Sequence, residues 1–300
     1  MFAFLSEPSS DDRAGGVGLA FTDREGGSSV GAFASLNLGR TGEDEPAALR
    51  ANMAALRARL SLAPISFVHQ VHGVTVRTLT RAELPGPDTW LGDRVPGQTP
   101  LASADALVTD LPGAPLAIRV ADCVPVLLAD VGAGVIGAAH AGRRGLLAGV
   151  LAATTARMRE LGAVRIRAWI GPHICGDCYE VPARMRDEAC AIIPELAATT
   201  GWGTPSLDLG AGARAVLERE GVAVERHDPC TRTSPALFSH RRDNGLTGRQ
   251  IGLIWRAGRG GRSARTARAG TLIPAVSFAD DRDVVRGRGR SEGESACRER

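Results

Sequence analysis

Asp105-Ala-Leu-Val-Thr-Asp110, Pro115-Leu-Ala-Ile-Arg-Val120, Val124-Pro-Val-Leu-Leu-Ala129 and Gly134-Val-Ile-Gly-Ala-Ala139 are four short apolar runs separated by turn residues. Each has the length of one strand, and near-continuous apolar runs suit strands covered on both faces. Around them the period changes. Residues 46–60 place Leu49, Met53, Leu56 and Leu60 at three- and four-residue steps, the spacing of an amphipathic helix. Helical spacing returns at 145–161, 182–199 and 210–220. Further strands are expected at Leu19–Thr22, 164–170 and 222–225, and a strand–turn–strand unit on either side of Gly73. The four prolines of 81–100 mark an exposed loop. This interleaving predicts an α/β (α+β) chain with mixed sheets flanked by helices.

Three hundred residues can bury a sizeable core. The expected domain spans 18–255, after an N-terminal segment 1–17 and before an Arg/Gly-rich tail 256–300. All 36 basic residues are arginine, and the tail holds eleven of them against six acids, leaving 25 basic and 27 acidic residues in the body. Most of the tail is too polar to offset its ordering entropy and is expected to be disordered, apart from the apolar stretch Thr271–Phe278. A basic arm of this kind could contact nucleic acid.

Six cysteines (123, 175, 178, 190, 230 and 297) fall short of a secreted disulfide scaffold and point to reduced thiols. No segment approaches the roughly 18 apolar residues of a membrane span, and the N-terminus does not read as a signal peptide. A cytoplasmic location is the expectation.

Three clusters carry chemistry. His72 precedes Gly73, Cys123 opens one apolar run, and His140 closes another. Two imidazoles and a thiolate are a zinc donor set with a fourth position open, and copper accepts the same donors. Cys123 could equally be a nucleophile, and each histidine a satisfied core residue; separation in sequence does not decide. Cys175 and Cys178 have the gap of a metal knuckle or redox pair, but no second pair follows, so a tight turn with two packed thiols is the competing reading. Phe238–Gln250 sets three arginines among hydroxyls and glycines, which suits either an anion site or a charged turn.

Gln70-Val-His-Gly73, Ala121-Asp-Cys-Val-Pro125, His140-Ala-Gly-Arg-Arg-Gly145, Ile170-Gly-Pro172 with Cys178-Tyr-Glu-Val181, Cys230-Thr231 and Ser239–Gln250 run in order along the chain. Together with Thr22-Asp-Arg24, Gly26-Gly-Ser28 and Ser35-Leu-Asn-Leu-Gly39 they resemble the laccase-domain family, also called multicopper polyphenol oxidase or peptidoglycan editing factor, whose members are regarded as purine nucleoside phosphorylases.

The resemblance implies a single domain similar to the catalytic domain of cytotoxic necrotizing factor, with Zn2+ on His72, Cys123 and His140 as metal and catalytic residues. It implies phosphorolysis of adenosine, inosine, guanosine or methylthioadenosine, with adenosine deamination in some members. A purine nucleoside and phosphate would be the partners. Arg144, Arg241, Arg242 and Arg249 are then the anion-binding candidates, and Asn37 a polar substrate contact. Arg143 stands where the family usually has tryptophan. Competing functions are a cysteine-nucleophile hydrolase editing peptidoglycan precursors and a copper-dependent polyphenol oxidase. A full laccase needs roughly ten imidazoles for its copper centres, and the chain has six.

Overall fold

The structure, a computed structural model, describes residues 1–8, 16–40, 44–94 and 99–257. The tail from 258 onward, with Thr271–Phe278 and the nucleic-acid contact expected of it, lies outside the described residues. In chain order the strands are β1 (Phe2–Ser6), β2 (Val17–Thr22), β3 (Val76–Thr78), β4 (Ala106–Thr109), β5 (Leu116–Val120), β6 (Val124–Asp130), β7 (Val135–Ala141), β8 (Arg167–Ile170), β9 (Ala197–Thr199), β10 (Pro205–Leu207), β11 (Ala223–Arg226) and β12 (Gln250–Arg256). The α-helices are α1 (Pro46–Leu60), α2 (Arg143–Ala148), α3 (Val150–Glu160), α4 (Ala183–Ile192) and α5 (Leu209–Arg219).

Two mixed or antiparallel sheets carry the domain, a six-stranded one in the order β11-β8-β6-β7-β4-β3 and a four-stranded one in the order β1-β2-β12-β5. The period-2 alternation of side chains sorts their residues into three apolar layers. On β6, Val124, Val126 and Leu128 face a core shared with Leu146, Val150, Met158 and Leu217 of the helices. Leu127 and Ala129 point the other way, into a core with Leu19, Phe21, Leu116 and Ile118 of the second sheet. The outer face of that second sheet, with Ile251, Leu253 and Trp255, packs on Leu49, Met53 and Leu56 of α1. The layering is therefore helix, sheet, sheet, helix, which is why the central strands are buried on both faces.

The four apolar runs are strands β4 to β7, but β5 leaves its sequence neighbours for the second sheet. Other elements differ from expectation for local reasons. The 145–161 helix is two helices, because Gly149 takes φ 97° between them. The 182–199 helix stops at Ile192, just before Pro194, and gives way to β9. Trp90 and Leu91, inside the segment read as an exposed loop, are buried in the core beneath α1. The strand–turn–strand unit around Gly73 is reduced to single bridges at Ser66 and His69 followed by the short β3. Its turn is bonded to a carboxylate instead of a partner strand. No helix among the described residues is long and apolar enough to cross a membrane.

Candidate functional site

β6 and β7 run antiparallel with Pro125 opposite His140, so the residue before β6, Cys123, meets the end of β7. β4 lies on the other side of β7, and its register places Asp105 beside His140: the His140 N–H donates to the Asp105 carbonyl at 2.8 Å. The Asp105 side chain, fully buried, then gathers a third segment. Its Oδ1 accepts from the backbone N–H of His72 at 2.8 Å, and its Oδ2 from those of Gly73 at 2.7 Å and Val71 at 3.2 Å. These bonds hold His72 at φ 60°, a left-handed conformation that costs a non-glycine residue roughly 1–2 kcal/mol.

The result is a compact donor set. The ligand atoms of His72, Cys123 and His140 lie within 4.8 Å of one another and could hold a metal ion. Cys123 Sγ is 3.7 Å from His72 Nε2, and the two imidazoles stand edge to face with centroids 4.7 Å apart. His140 Nδ1 is 2.9 Å from Asp105 Oδ1. A carboxylate acceptor assigns the proton to Nδ1 and leaves Nε2 as the ligating lone pair. Gly142 completes the packing, since a Cβ there would meet His72 Cδ2 at 2.6 Å and Cys123 Sγ at 3.1 Å. The glycine of the His-Ala-Gly segment is thus required by the donor cluster itself.

Charge follows this geometry. Burial alone would raise the Cys123 thiol, but the charge of His140, hydrogen bonds from both histidines and the charge of His72 outweigh it and bring it down to about 6. Burial would lower His140, yet the facing Cys123 charge and the Asp105 carboxylate raise it to about 9. Burial also works against the Asp105 charge; hydrogen bonds from His140 and the Gly73 N–H, with the His140 charge, win and keep it ionised below the usual carboxylate range. Without metal, these opposed shifts favour a thiolate at Cys123 beside a protonated His140 near neutral pH.

Asp122, at φ 85°, sets the approach of Cys123. Its Oδ1 accepts from the Thr231 hydroxyl at 2.5 Å, its Oδ2 from the Arg241 N–H at 2.6 Å, and its carbonyl from the Ile174 N–H at 3.1 Å. The donor set opens into a cavity of about 830 Å³ whose wall includes Arg40, His69, Gln70, Arg119, His240 and Arg249. Arg119 is buried, donating to the carbonyls of Leu38 and Trp90, and burial, followed by the charge of Arg40, lowers it to about 9.

Of the expected anion ligands, only Arg249 lines this cavity. Its guanidinium donates to the Thr247 and Gly248 carbonyls at 2.8 Å, and its backbone N–H to Asn37 Oδ1 at 2.9 Å. Asn37 is itself buried and occupied, accepting also from Gly39 and donating to Asp44. Arg242 donates to the carbonyls of Thr231, Ser234 and Leu237 and pairs with Asp243, so it braces the loop. Arg241 donates to the Glu180 carbonyl and lies 5.0 Å over the Tyr179 ring. Arg144 is exposed on α2, and the charge of its neighbour Arg143 acts on Tyr179. Sequence reasoning passed over Asp105, Arg40 and Arg119. Asp105 stood at the head of a predicted strand, where a lone acid carries no signal; a buried arginine inside an apolar run was the one visible clue to Arg119.

Residues 18–257 match the family model described as multi-copper polyphenol oxidoreductase laccase. The chain belongs to this family. A Streptomyces coelicolor relative named purine nucleoside phosphorylase is 47% identical over 249 residues, covering 81% of this chain and 97% of its own. A Corynebacterium glutamicum relative of the same name is 41% identical over 250 residues, covering 82% and 96%. Among solved structures, a Neisseria meningitidis protein of the same fold is 35% identical, with a TM-score of 0.69 over 85% of this chain and 99% of that one. YlmD from Geobacillus stearothermophilus is 31% identical, with a TM-score of 0.70 over 84% and 99%. The mixed α/β single-domain architecture of this family member is thereby shared with solved relatives.

Proposed function

We propose that this family member is a zinc-dependent purine nucleoside phosphorylase, cleaving adenosine, inosine, guanosine or methylthioadenosine with phosphate to the free base and the (methylthio)ribose 1-phosphate. The observation that carries the reading is the His72–Cys123–His140 set facing Arg40 and Arg249 across one cavity. The names of the relatives supply the reaction class. The donor set fits zinc: bonds of about 2.05 Å to nitrogen and 2.3 Å to sulfur at a tetrahedral angle put the two atoms about 3.6 Å apart, against 3.7 Å between His72 Nε2 and Cys123 Sγ. Asp105 supplies the carboxylate that orients a ligating histidine.

Bound zinc would contribute Lewis acidity beside the reacting centre, with a fourth position open. The remaining work falls to the chain. Arg249, fixed by two carbonyls, and Arg40 would seat phosphate by charge-assisted bonds, placing it against C1′ as the glycosidic bond loosens. Their positive charge would stabilise the incoming anion. Asp105 would keep the His140 proton on Nδ1 throughout. Arg242 and Asn37 would act by holding the loop that carries Arg249.

One observation favours a second reading. Cys123, His140 and Asp105 also have the order of a nucleophile, base and orienting acid, with the thiol brought down to about 6. That hydrolase needs no second imidazole on the sulfur, whereas His72 is placed there. Alkylation separates the two. Iodoacetamide should modify Cys123 in metal-free protein and be blocked by zinc if the phosphorylase reading holds; loss of activity on zinc addition, with phosphate-independent hydrolysis, would support the hydrolase.

A further inference from the structure

Outside this centre a second group of sulfurs converges. Cys175 and Cys178 lie on the loop after β8, and Cys230 on the loop after β11. All three are free, and their Sγ atoms lie within 4.8 Å of one another. The backbone brings them there: residue 173 bridges residue 230 in parallel register, the Thr231 N–H donates to the His173 carbonyl at 2.9 Å, and the N–H groups of Cys178 and Tyr179 close a turn on the Cys175 carbonyl at 3.0 Å. Cys230 therefore supplies the partner that the isolated Cys175–Cys178 gap lacks in the sequence.

We propose that Cys175, Cys178 and Cys230 form a second zinc site, separate from the His72–Cys123–His140 centre, that joins the loops after β8 and β11. Three sulfurs on one ion at about 2.3 Å in tetrahedral geometry are about 3.8 Å apart, so the trio as folded needs a closure of an ångström or less at its widest. The Cys175 N–H donates to Cys230 Sγ at 3.4 Å. Donors aimed at sulfur are how thiolate ligands are oriented and their charge offset. On binding, each thiol releases its proton to solvent, leaving three Zn–S bonds and one position for water.

The site also has a purpose in the fold. Ile174, beside Cys175, and Thr231, beside Cys230, both hold Asp122, the residue preceding Cys123. An ion joining the two loops would fix the turn that presents Cys123. No residue is shared between the two metal sets, so this site stands or falls independently of the reaction assigned to the first.

The test uses the full chain, reduced, stripped with chelator and refilled with Zn2+ or Co2+ under nitrogen. Wild type should take up two equivalents of zinc. Cys123→Ala/His140→Ala should retain one, and its cobalt form should show a thiolate-to-metal charge-transfer band. Adding Cys178→Ser should abolish both, and Cys175→Ser serves if that variant does not fold. In Cys178→Ser alone the count should fall from two to one. A single equivalent in wild type with none in Cys123→Ala/His140→Ala would overturn the proposal. So would a disulfide within the trio that persists in reductant.

Discussion

Replacing Asp105 by asparagine changes one oxygen for one amide and should disable the site at its base. In the native protein Oδ1 accepts from His72 N–H and His140 Nδ1, and Oδ2 from Gly73 and Val71 N–H. An amide retains a single acceptor oxygen. With it placed as Oδ1, the NH2 faces two backbone N–H groups; flipped, it faces His72 N–H and forces the His140 proton onto Nε2, the atom needed for metal. Either orientation loses two bonds to a charged acceptor, each worth about 1.5–3 kcal/mol, although water can reach the exposed 71–73 turn. We expect Asp105→Asn to lower stability by about 2–4 kcal/mol in urea titrations. Zinc affinity, read by competition with a chromophoric chelator, should fall about 10- to 100-fold. Wild-type stability together with wild-type zinc affinity would refute the argument that Asp105 assembles the centre.

Three further outcomes follow from the same geometry. Arg249→Met should raise the KM for phosphate about 10- to 150-fold, the equivalent of one lost charge-assisted bond of about 1.5–3 kcal/mol, with little change in nucleoside KM; initial-rate kinetics decide it. Gly142→Ala should reduce zinc content by metal analysis while leaving the circular dichroism spectrum intact, because its Cβ would press on His72 and Cys123. Asp130 accepts the N–H groups of Ala133, Val164 and Arg165, which, against the opposing effect of burial, hold its carboxyl below the usual range. Its stabilisation is thus present above the unfolded value of about 3.9 and lost as pH falls through the lower folded value; Asp130→Asn should lower Tm at pH 7, with the difference narrowing below pH 4.

The layered core was legible because Val124–Ala129 and Gly134–Ala139 are apolar at every position, which only a strand covered on both faces requires. The transfer of β5 to the second sheet was not, since strand partners are chosen by long-range packing that leaves no local mark. His72, Cys123 and His140 could be named as chemistry-bearing types from sequence, but their convergence depends on the β4–β7–β6 register and on Asp105. Arginine roles were the least legible. Arg242 and Arg249 sit in one segment, yet one is engaged by three loop carbonyls and a carboxylate while the other reaches the cavity wall. Likewise Cys230 gave no sign in the sequence of meeting Cys175 and Cys178.

The most direct test of the proposed reaction is to incubate the zinc-loaded protein with adenosine and inorganic phosphate and to quantify adenine, inosine and ribose 1-phosphate. The account predicts adenine and ribose 1-phosphate in equal amounts, saturating with phosphate and abolished by His72→Ala or by chelation. Absence of turnover with adenosine, inosine, guanosine and methylthioadenosine in metal-loaded protein, or base release that ignores phosphate, would contradict it.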